Sequence, residues 1–192
     1  AFADKGYALV VINTGGSHDD LTADYAAIPN EMLAVASYFG EQSLRRVRKE
    51  QILQEMHTLR ENAGDRAVLR ALHYYAENDR SLHAMKALVE DDVEAFLQVI
   101  RQSGISSWTL LQNVSLLSAE NQPLAISLAL ADTLLAGKGV SRIHGGGFAG
   151  TTLHFVPLDM VDTFTSEMNK VFGDNASHVV DVRDEGAFVV FS

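Results

Sequence analysis

Short apolar runs mark the β-strands that this sequence predicts. Residues 7–13 form a continuous apolar run, which suits a strand that is buried on both faces. Residues 140–144 and 151–156 flank a glycine-rich loop, and the second of them is β-branched and alternating. Residues 178–182 and 187–191 predict two further strands, the last at a sheet edge. The pattern therefore indicates four to five strands.

Apolar residues at helical spacing fill most of the remaining chain. Residues 22–39 predict a helix that Pro29 breaks or restarts. Periodicity continues through residues 45–62 and 65–89, then through a helix capped by Asp92 and stopped at Gly104. A segment begins at residue 106, a nearly all-apolar helix begins at Pro123, and an amphipathic helix over residues 158–172 ends at Gly173.

The order of these elements predicts the fold. It reads strand, long helical section, strand–loop–strand, helix, strand, which is the split β-α-β arrangement of ferredoxin-like folds. We expect an α+β two-layer sandwich with about four to five mainly antiparallel strands. Residues 1–192 form one domain in this prediction, with an inserted set of helices over about residues 45–136.

Composition and charge narrow the class of protein. The 192 residues, 47% of them apolar, suffice for one sizeable core. A net charge of −10 without a basic surface argues against nucleic acid as a partner and against an anionic membrane surface. No apolar run approaches the ~20 residues of a spanning helix. Cysteine is absent, so a cytoplasmic location is the default. The start at Ala1, without methionine, suggests a piece cut from a longer protein, although a processed start would look the same.

Two charged clusters are candidate ion sites of low specificity. His18, Asp19, Asp20 and Asp24 match no defined metal site by type and spacing, and we interpret them as solvated caps. Arg45, Arg46, Arg48 and Lys49 form the only basic cluster of the sequence, where a solvated helix entry turn is favoured over an anion site. The sequence therefore predicts no metal ligand.

Four glycines in six positions dominate the loop between the second and third strands. The spacing of Gly145, Gly147 and Gly150 fits the dinucleotide-binding fingerprint. In that fingerprint a helix begins directly after the glycines, whereas here a predicted strand and Pro157 follow them, so the match is judged false. Spacing alone leaves two interpretations open: a wide hairpin turn, or a loop to which a phosphate or another backbone comes very close. The candidate residues of this loop are Gly145, Gly146, Gly147, Phe148, Ala149 and Gly150.

Residues 142–150, Arg-Ile-His-Gly-Gly-Gly-Phe-Ala-Gly, resemble the third signature motif of the GHMP superfamily of kinases, named after galactokinase, homoserine kinase, mevalonate kinase and phosphomevalonate kinase. The galactokinase branch usually has threonine where His144 stands and glycine where Ala149 stands. A second motif is similar to Arg-Ala-x-His-x-x-x-Glu-Asn-x-Arg of galactokinases. It is matched by Arg70, Ala71, His73, Glu77, Asn78 and Arg80.

Weaker matches surround these two. Tyr25 and Glu31 match a galactokinase segment whose asparagine and arginines are missing here, and residues 103–106 resemble its Ser-His-x-Ser without the histidine. Arg70, His73 and Glu77 share one helical face, so we expect them to pair with one another in a structural role. The resemblance implies that Tyr25 meets the sugar; an ordinary half-buried tyrosine is the alternative.

The resemblance implies the C-terminal half of a galactokinase-like sugar kinase. In that family ATP phosphorylates the anomeric hydroxyl of galactose, and this chain would supply one wall of the cleft. The catalytic residues would lie in its own N-terminal half, the implied partner, so none is assigned here. ATP and Mg²⁺ would serve the full-length enzyme, and neither is expected on this chain alone, which should be inactive.

Two other functions stay open on the sequence. One is a non-catalytic sugar sensor or regulatory protein on the same scaffold, and the other is a stand-alone small-molecule-binding domain. The sugar itself and the oligomeric state are equally open. If the glycine loop closes over the phosphate-transfer cleft, Gly147→Val should cut turnover sharply and leave the domain folded.

Overall fold

The computed structural model describes residues 2–15, 21–115 and 120–182. Its strands are β1 (Tyr7–Asn13), β2 (Val140–His144), β3 (Thr151–Pro157) and β4 (Ser177–Val180). Its helices are α1 (Thr22–Tyr38), α2 (Lys49–Gln54), α3 (Met56–Ala63), α4 (Asp65–Val89), α5 (Val93–Ser106), α6 (Pro123–Leu135) and α7 (Val161–Phe172). The strand predicted over residues 187–191 lies outside the described residues.

The four strands form one antiparallel sheet in the order β2-β3-β1-β4. In register, Val10 of β1 faces His154 of β3, and His154 faces Ser141 of β2. The β2–β3 hairpin packs beside the first strand, and β4 adds on its other side. This is the split β-α-β order expected from the sequence, so the α+β class and the antiparallel sheet are confirmed.

Both faces of the sheet carry apolar side chains, which explains why residues 7–13 do not alternate. Val10, Ile12 and Val156 pack against α6 and α7 in one core. The neighbouring side chains point the other way because strand residues alternate, and Leu9 and Phe155 join a second core that includes residues of α4 and α5. The end of α4 and the start of α5 thus add helical cover to the second face.

A third apolar cluster lies among the helices and supports α1. It joins α1 through α4, and its fully buried members include Val35, Ile52, Leu59 and Ala71. Tyr75 of α4 packs against this cluster, and its hydroxyl donates to the carbonyl of Val47 at 2.7 Å. Through this cluster, α1 is fixed to α4, and both helices hold residues singled out in the sequence.

Two predicted helix breaks are absent from the structure. α1 continues through Pro29, whose missing N–H removes one hydrogen bond without ending the helix. α5 continues through Gly104, and a Cβ added there would lie 2.8 Å from the carbonyl oxygen of Ser141 in β2. Gly104 therefore permits close helix–strand packing, whereas the predicted cap at Asp92 is confirmed by its 2.9 Å bond from the Ala95 amide.

No helix within the described residues combines the length and the apolar character needed to cross a membrane.

Candidate functional site: the glycine loop and its supports

The glycine loop joins β2 to β3 and has two parts with opposite exposure. Residues 144–146, here called the crest, are exposed, whereas residues 147–149, here called the base, are buried. Phe148 has φ +60°, a left-handed conformation that is uncommon for a bulky residue, and Gly147 before it has φ +82°. The backbone of the base is thus held in an unusual shape by its surroundings.

Tyr25 of α1 lies directly against this loop. Its hydroxyl donates to the carbonyl of Gly147 at 2.7 Å, and its ring meets the Phe148 ring edge-on at 5.3 Å. A Cβ on Gly146 would come within 2.9 Å of the Tyr25 ring, so the tyrosine needs glycine there. Burial raises the pKa of the Tyr25 phenol above its ordinary value, which already lies well above neutral, so the hydroxyl is protonated and can donate at neutral pH.

Asn113 holds the opposite side of the loop and was missed in the sequence. Its backbone carbonyl accepts from the Phe148 amide at 2.5 Å, and its side-chain Nδ2 donates to the Gly146 carbonyl at 2.9 Å. A Cβ on Gly147 would lie 2.2 Å from the Asn113 carbonyl oxygen. This collision argues against the expectation that Gly147→Val leaves the domain folded, because it is with backbone that cannot rotate away.

The last residue of the loop is tied to the end of β1. The backbone amide and the hydroxyl of Thr14 both donate to the carbonyl of Gly150, at 2.9 and 2.8 Å. The loop is consequently fixed at Gly146, Gly147, Phe148 and Gly150 by groups from three separate parts of the chain. It is a supported structure and not a free hairpin turn.

Asn113 follows a five-residue π-helical turn, Ser107–Leu111, that continues α5. Such turns are rare, and they occur often at functional sites. The Gln112 amide closes the turn onto the Ser107 carbonyl at 2.8 Å, with Gln112 in the left-handed conformation. The sequence offered one signal, a polar Gln-Asn pair that ends an apolar helical pattern, but nothing in it pointed to the loop.

Arg70 of the second motif and Glu31 of a weaker match meet in a largely buried ion pair behind the π turn. Arg70, with only 1% of its surface exposed, donates from Nη1 to Glu31 at 2.8 Å and from Nε to the Leu111 carbonyl at 3.0 Å. Arg66 donates to the same carboxylate from Nε at 2.9 Å. Glu31 of α1, Arg70 of α4 and the π turn are thus joined by charge-assisted hydrogen bonds.

The expected mutual pairing of Arg70, His73 and Glu77 is absent, because Arg70 bonds to α1 and the π turn whereas His73 and Glu77 bond to serines of α5. His73 Nδ1 lies 2.9 Å from the Ser106 hydroxyl, and burial lowers the pKa of this histidine. Ser103 donates to Glu77 and accepts from Arg142 of β2. The structural role assigned to the trio agrees with these contacts.

Opposing effects act on the Glu77 carboxyl. Burial alone would raise its pKa, but hydrogen bonds from Ser103 and Arg80 outweigh burial and hold the pKa below its ordinary value. Arg142 also approaches Glu77, at 3.8 Å. The carboxylate therefore stays ionised and anchors α4 to the strand that leads into the glycine loop.

The crest can come close to a ligand, and the described residues offer little else for chemistry. A Cβ on Gly145 would meet nothing within 4 Å, so the backbone there faces open space. His144 is exposed, with Nδ1 3.1 Å from the Thr151 hydroxyl. Across residues 2–15, 21–115 and 120–182 no group of three or more histidine or carboxylate side chains could hold a metal ion. His18, Asp19 and Asp20, of the cluster considered above, lie outside these ranges.

An antiparallel sheet in split β-α-β order, carrying a backbone-lined loop that three separate parts of the chain hold in place, defines an α+β fold with a candidate binding wall. No protein-family model matches this chain. It is similar to the galactokinase of Mannheimia succiniciproducens, with 27% identity over 178 residues. It is also similar to the galactokinase of Glaesserella parasuis, with 28% identity over 171 residues.

These matches cover 93% and 89% of this chain but only 43% and 42% of the two relatives. The chain thus spans about two fifths of the length of the curated relatives that it matches. Among solved structures, a Lactococcus lactis galactokinase complexed with galactose has the same fold, with a TM-score of 0.66 and 22% identity over 87% of this chain. The resemblance to galactokinases is confirmed, and the coverage is consistent with the C-terminal half of a GHMP kinase.

Proposed function

We propose that this chain is the C-terminal part of a galactokinase-like kinase and supplies one wall of the cleft in which ATP phosphorylates galactose or a related sugar. The observation that carries the proposal is the similarity to galactokinases along nine tenths of the chain. The glycine loop supports it, since that loop combines a supported base with a crest that lacks side chains at Gly145 and Gly146.

The proposed role of the crest is to bring backbone close to the phosphates or to a loop of the N-terminal half. Phosphoryl transfer depends on positioning and on donors aimed at the developing charge. Bound ATP would supply the transferred phosphoryl group, and this chain would orient it without making or breaking a bond. The described residues contain no group of three or more carboxylate or histidine side chains that could hold a metal ion, so we assign no Mg²⁺ ligand among them.

Tyr25 is proposed to lie on the sugar side of the same cleft. Its ring packs on the loop base and its hydroxyl donates to Gly147. A phenol oxygen can accept while it donates, so a sugar hydroxyl could bond to the same atom. This places the proposed sugar contact and the proposed phosphate contact on adjoining parts of one surface.

The partner in this proposal is an N-terminal half that carries the catalytic residues. The matched relatives are more than twice as long as the aligned segment, which supports such a half. This chain alone should then be inactive. A cytoplasmic location belongs to the same proposal and rests on the absence of cysteine.

The test is to express the complete gene product and to measure sugar-dependent ADP release with galactose, N-acetylgalactosamine and arabinose. We expect turnover with at least one of them, and no turnover from residues 1–192 expressed alone. A complete protein that binds none of these sugars and consumes no ATP would contradict the proposal.

A non-catalytic sugar sensor is the second candidate, and the departures from the motif favour it. His144 and Ala149 replace family residues, and His144 is exposed on the crest. A complete protein that binds sugar in calorimetry without releasing ADP would decide for the sensor.

A further inference from the structure

Two bonds from one asparagine bracket Gly147. Asn113 Nδ2 donates to the Gly146 carbonyl, and the Asn113 carbonyl accepts from the Phe148 amide. We propose that Asn113 is the residue that positions the glycine loop for phosphoryl transfer, a role that rests on the kinase function proposed above. Asn113 acts through the loop in this proposal and touches no substrate, so it is a positioning residue and not a catalytic one.

The contacts fix two successive peptide planes. In a trans peptide the carbonyl and the following N–H point in opposite directions. The Gly147 carbonyl bonds to Tyr25 on one side, and the Phe148 N–H of the same peptide bonds to Asn113 on the other. The preceding peptide has its Gly146 carbonyl on Asn113, so the Gly147 N–H is turned away from Asn113. These bonds therefore fix the orientation of the base, and the base in turn determines the position of the crest.

The chemistry at this position favours an asparagine. Asn113 is only 2% exposed, so its side-chain amide needs a hydrogen-bond partner, and the Gly146 carbonyl accepts from it. Aspartate at position 113 would place a carboxylate oxygen, itself an acceptor, against the Gly146 carbonyl oxygen. Alanine would leave that carbonyl without its donor. The Oδ1 atom of Asn113 has no hydrogen-bond partner among the described residues, so the side chain is retained at a cost.

Asn113 itself is held by the π turn and by the ion pair behind it. The Leu111 carbonyl, two residues earlier, accepts from buried Arg70, and Arg70 is bonded to Glu31. Glu31 lies on α1, the helix that carries Tyr25. Tyr25 and Asn113, which both bond to the loop, are thus connected to each other through this ion pair. The distance between them is therefore fixed.

Accurate placement of the crest matters for the proposed reaction, because a displacement of about 1 Å can cost ~10²-fold in rate. The test uses the complete gene product with Asn113→Ala and Asn113→Asp. Asn113→Asp keeps the volume of the side chain, so it tests the positioning role even if Asn113→Ala fails to fold. Asn62→Ala is the matched control, since Asn62 is exposed and its Nδ2 donates to the Thr58 carbonyl of its own helix at 2.8 Å.

We expect both Asn113 variants to lower kcat by about 10- to 100-fold while the KM values for sugar and ATP change less than about threefold. Amide exchange in a peptide spanning residues 145–150 should accelerate at least about tenfold, and exchange in α7 should not change. Asn62→Ala should match the wild type in all four measurements.

Faster loop exchange with an unchanged kcat would overturn the inference and leave the proposed function standing. Unchanged loop exchange would show that Asn113 does not hold the loop, and would also overturn it. A wild-type protein without kinase activity would remove the proposed function and the positioning role together, whereas the exchange data would still report whether the contact exists.

Discussion

The hydroxyl of Tyr25 bonds to the carbonyl of Gly147 at 2.7 Å, although 122 positions separate the two residues in the sequence. Each was singled out in the sequence, Tyr25 for the sugar and Gly147 for the phosphates. Because of this bond, Tyr25 helps to hold the loop in addition to its proposed contact with the sugar. The two roles are tested by different substitutions of Tyr25.

Tyr25→Phe removes only the hydroxyl, so the Gly147 carbonyl loses a neutral hydrogen bond that contributes about 0.5–1.5 kcal/mol. We expect kcat of the complete protein to fall about two- to tenfold. Tyr38→Phe is the control on the same helix, because Tyr38 is exposed and bonds to Glu55 at 3.3 Å. An unchanged kcat in Tyr25→Phe would contradict a role for the hydroxyl in holding the loop.

Tyr25→Ala removes the aromatic ring as well, and with it the proposed apolar face toward the sugar. We expect the KM for the sugar to rise about tenfold, as for the loss of roughly 1.4 kcal/mol of binding. The KM for ATP should change much less. If steady-state kinetics show an unchanged sugar KM, Tyr25 does not contact the sugar and acts through the loop alone.

Gly147 and Gly145 allow a matched test of why the loop lacks side chains. Both have positive φ, +82° and +81°, but an added Cβ meets the Asn113 carbonyl at 2.2 Å in the first and open space in the second. Alanine therefore carries the left-handed penalty of about 1–2 kcal/mol at both positions and the collision only at Gly147. We expect Gly147→Ala to lower the free energy of unfolding in urea by about 2 kcal/mol more than Gly145→Ala. Equal losses would contradict the collision.

The strands and their order could be predicted because their signals are local. A continuous apolar run, an alternating β-branched run and a glycine loop between two strands are visible in the sequence, and they determine the split β-α-β order. Gly104 was misinterpreted for the opposite reason. A side chain at position 104 would collide with the carbonyl oxygen of Ser141 in β2, and this contact exists only once α5 packs on the sheet.

The loop could be found in the sequence, whereas its supports could not. Asn113 acts through its backbone carbonyl and one amide group, and neither leaves a pattern of spacing or polarity. Arg70 and Glu31 were matched as members of separate motifs, but their pairing depends on how α1 packs on α4. Local periodicity predicts elements, and contacts between distant elements follow from packing that periodicity does not encode.

The Arg70–Glu31 pair should matter far more to stability than a surface pair. Arg70→Met leaves Glu31 with Arg66 and leaves the Leu111 carbonyl without its donor. We expect a loss of about 3 kcal/mol in the free energy of unfolding, the lower end of the range for breaking buried pairs. Arg60→Met breaks the exposed pair with Asp65 and should cost far less stability than Arg70→Met. Comparable losses in urea titrations would show that the Arg70 pair contributes no more than a surface contact.

The pH dependence of stability should report a buried histidine in the sheet. His154 has no exposed surface, and its two ring nitrogens lie 2.7 Å from the Thr152 hydroxyl and 2.8 Å from the Ser141 hydroxyl. Ser127 of α6 extends this chain of polar groups through Thr152 at 2.7 Å. Burial lowers the pKa of His154 to about 3, so the imidazole stays neutral in the folded protein well below pH 6.5.

Between pH 6.5 and about 3, the unfolded chain binds a proton at His154 that the folded chain does not. Stability therefore falls as the pH falls through this window, by about 1.4 kcal/mol per pH unit from this one group. His73 shifts in the same direction, so it adds to the slope. We expect His154→Gln to be less stable at pH 7, because the polar chain is disturbed, and to lose stability less steeply between pH 6 and pH 4. Urea titrations across this range measure the slope, with His178→Gln on exposed β4 as the control, and a slope in His154→Gln equal to that of the wild type would mean that His154 takes up its proton without unfolding.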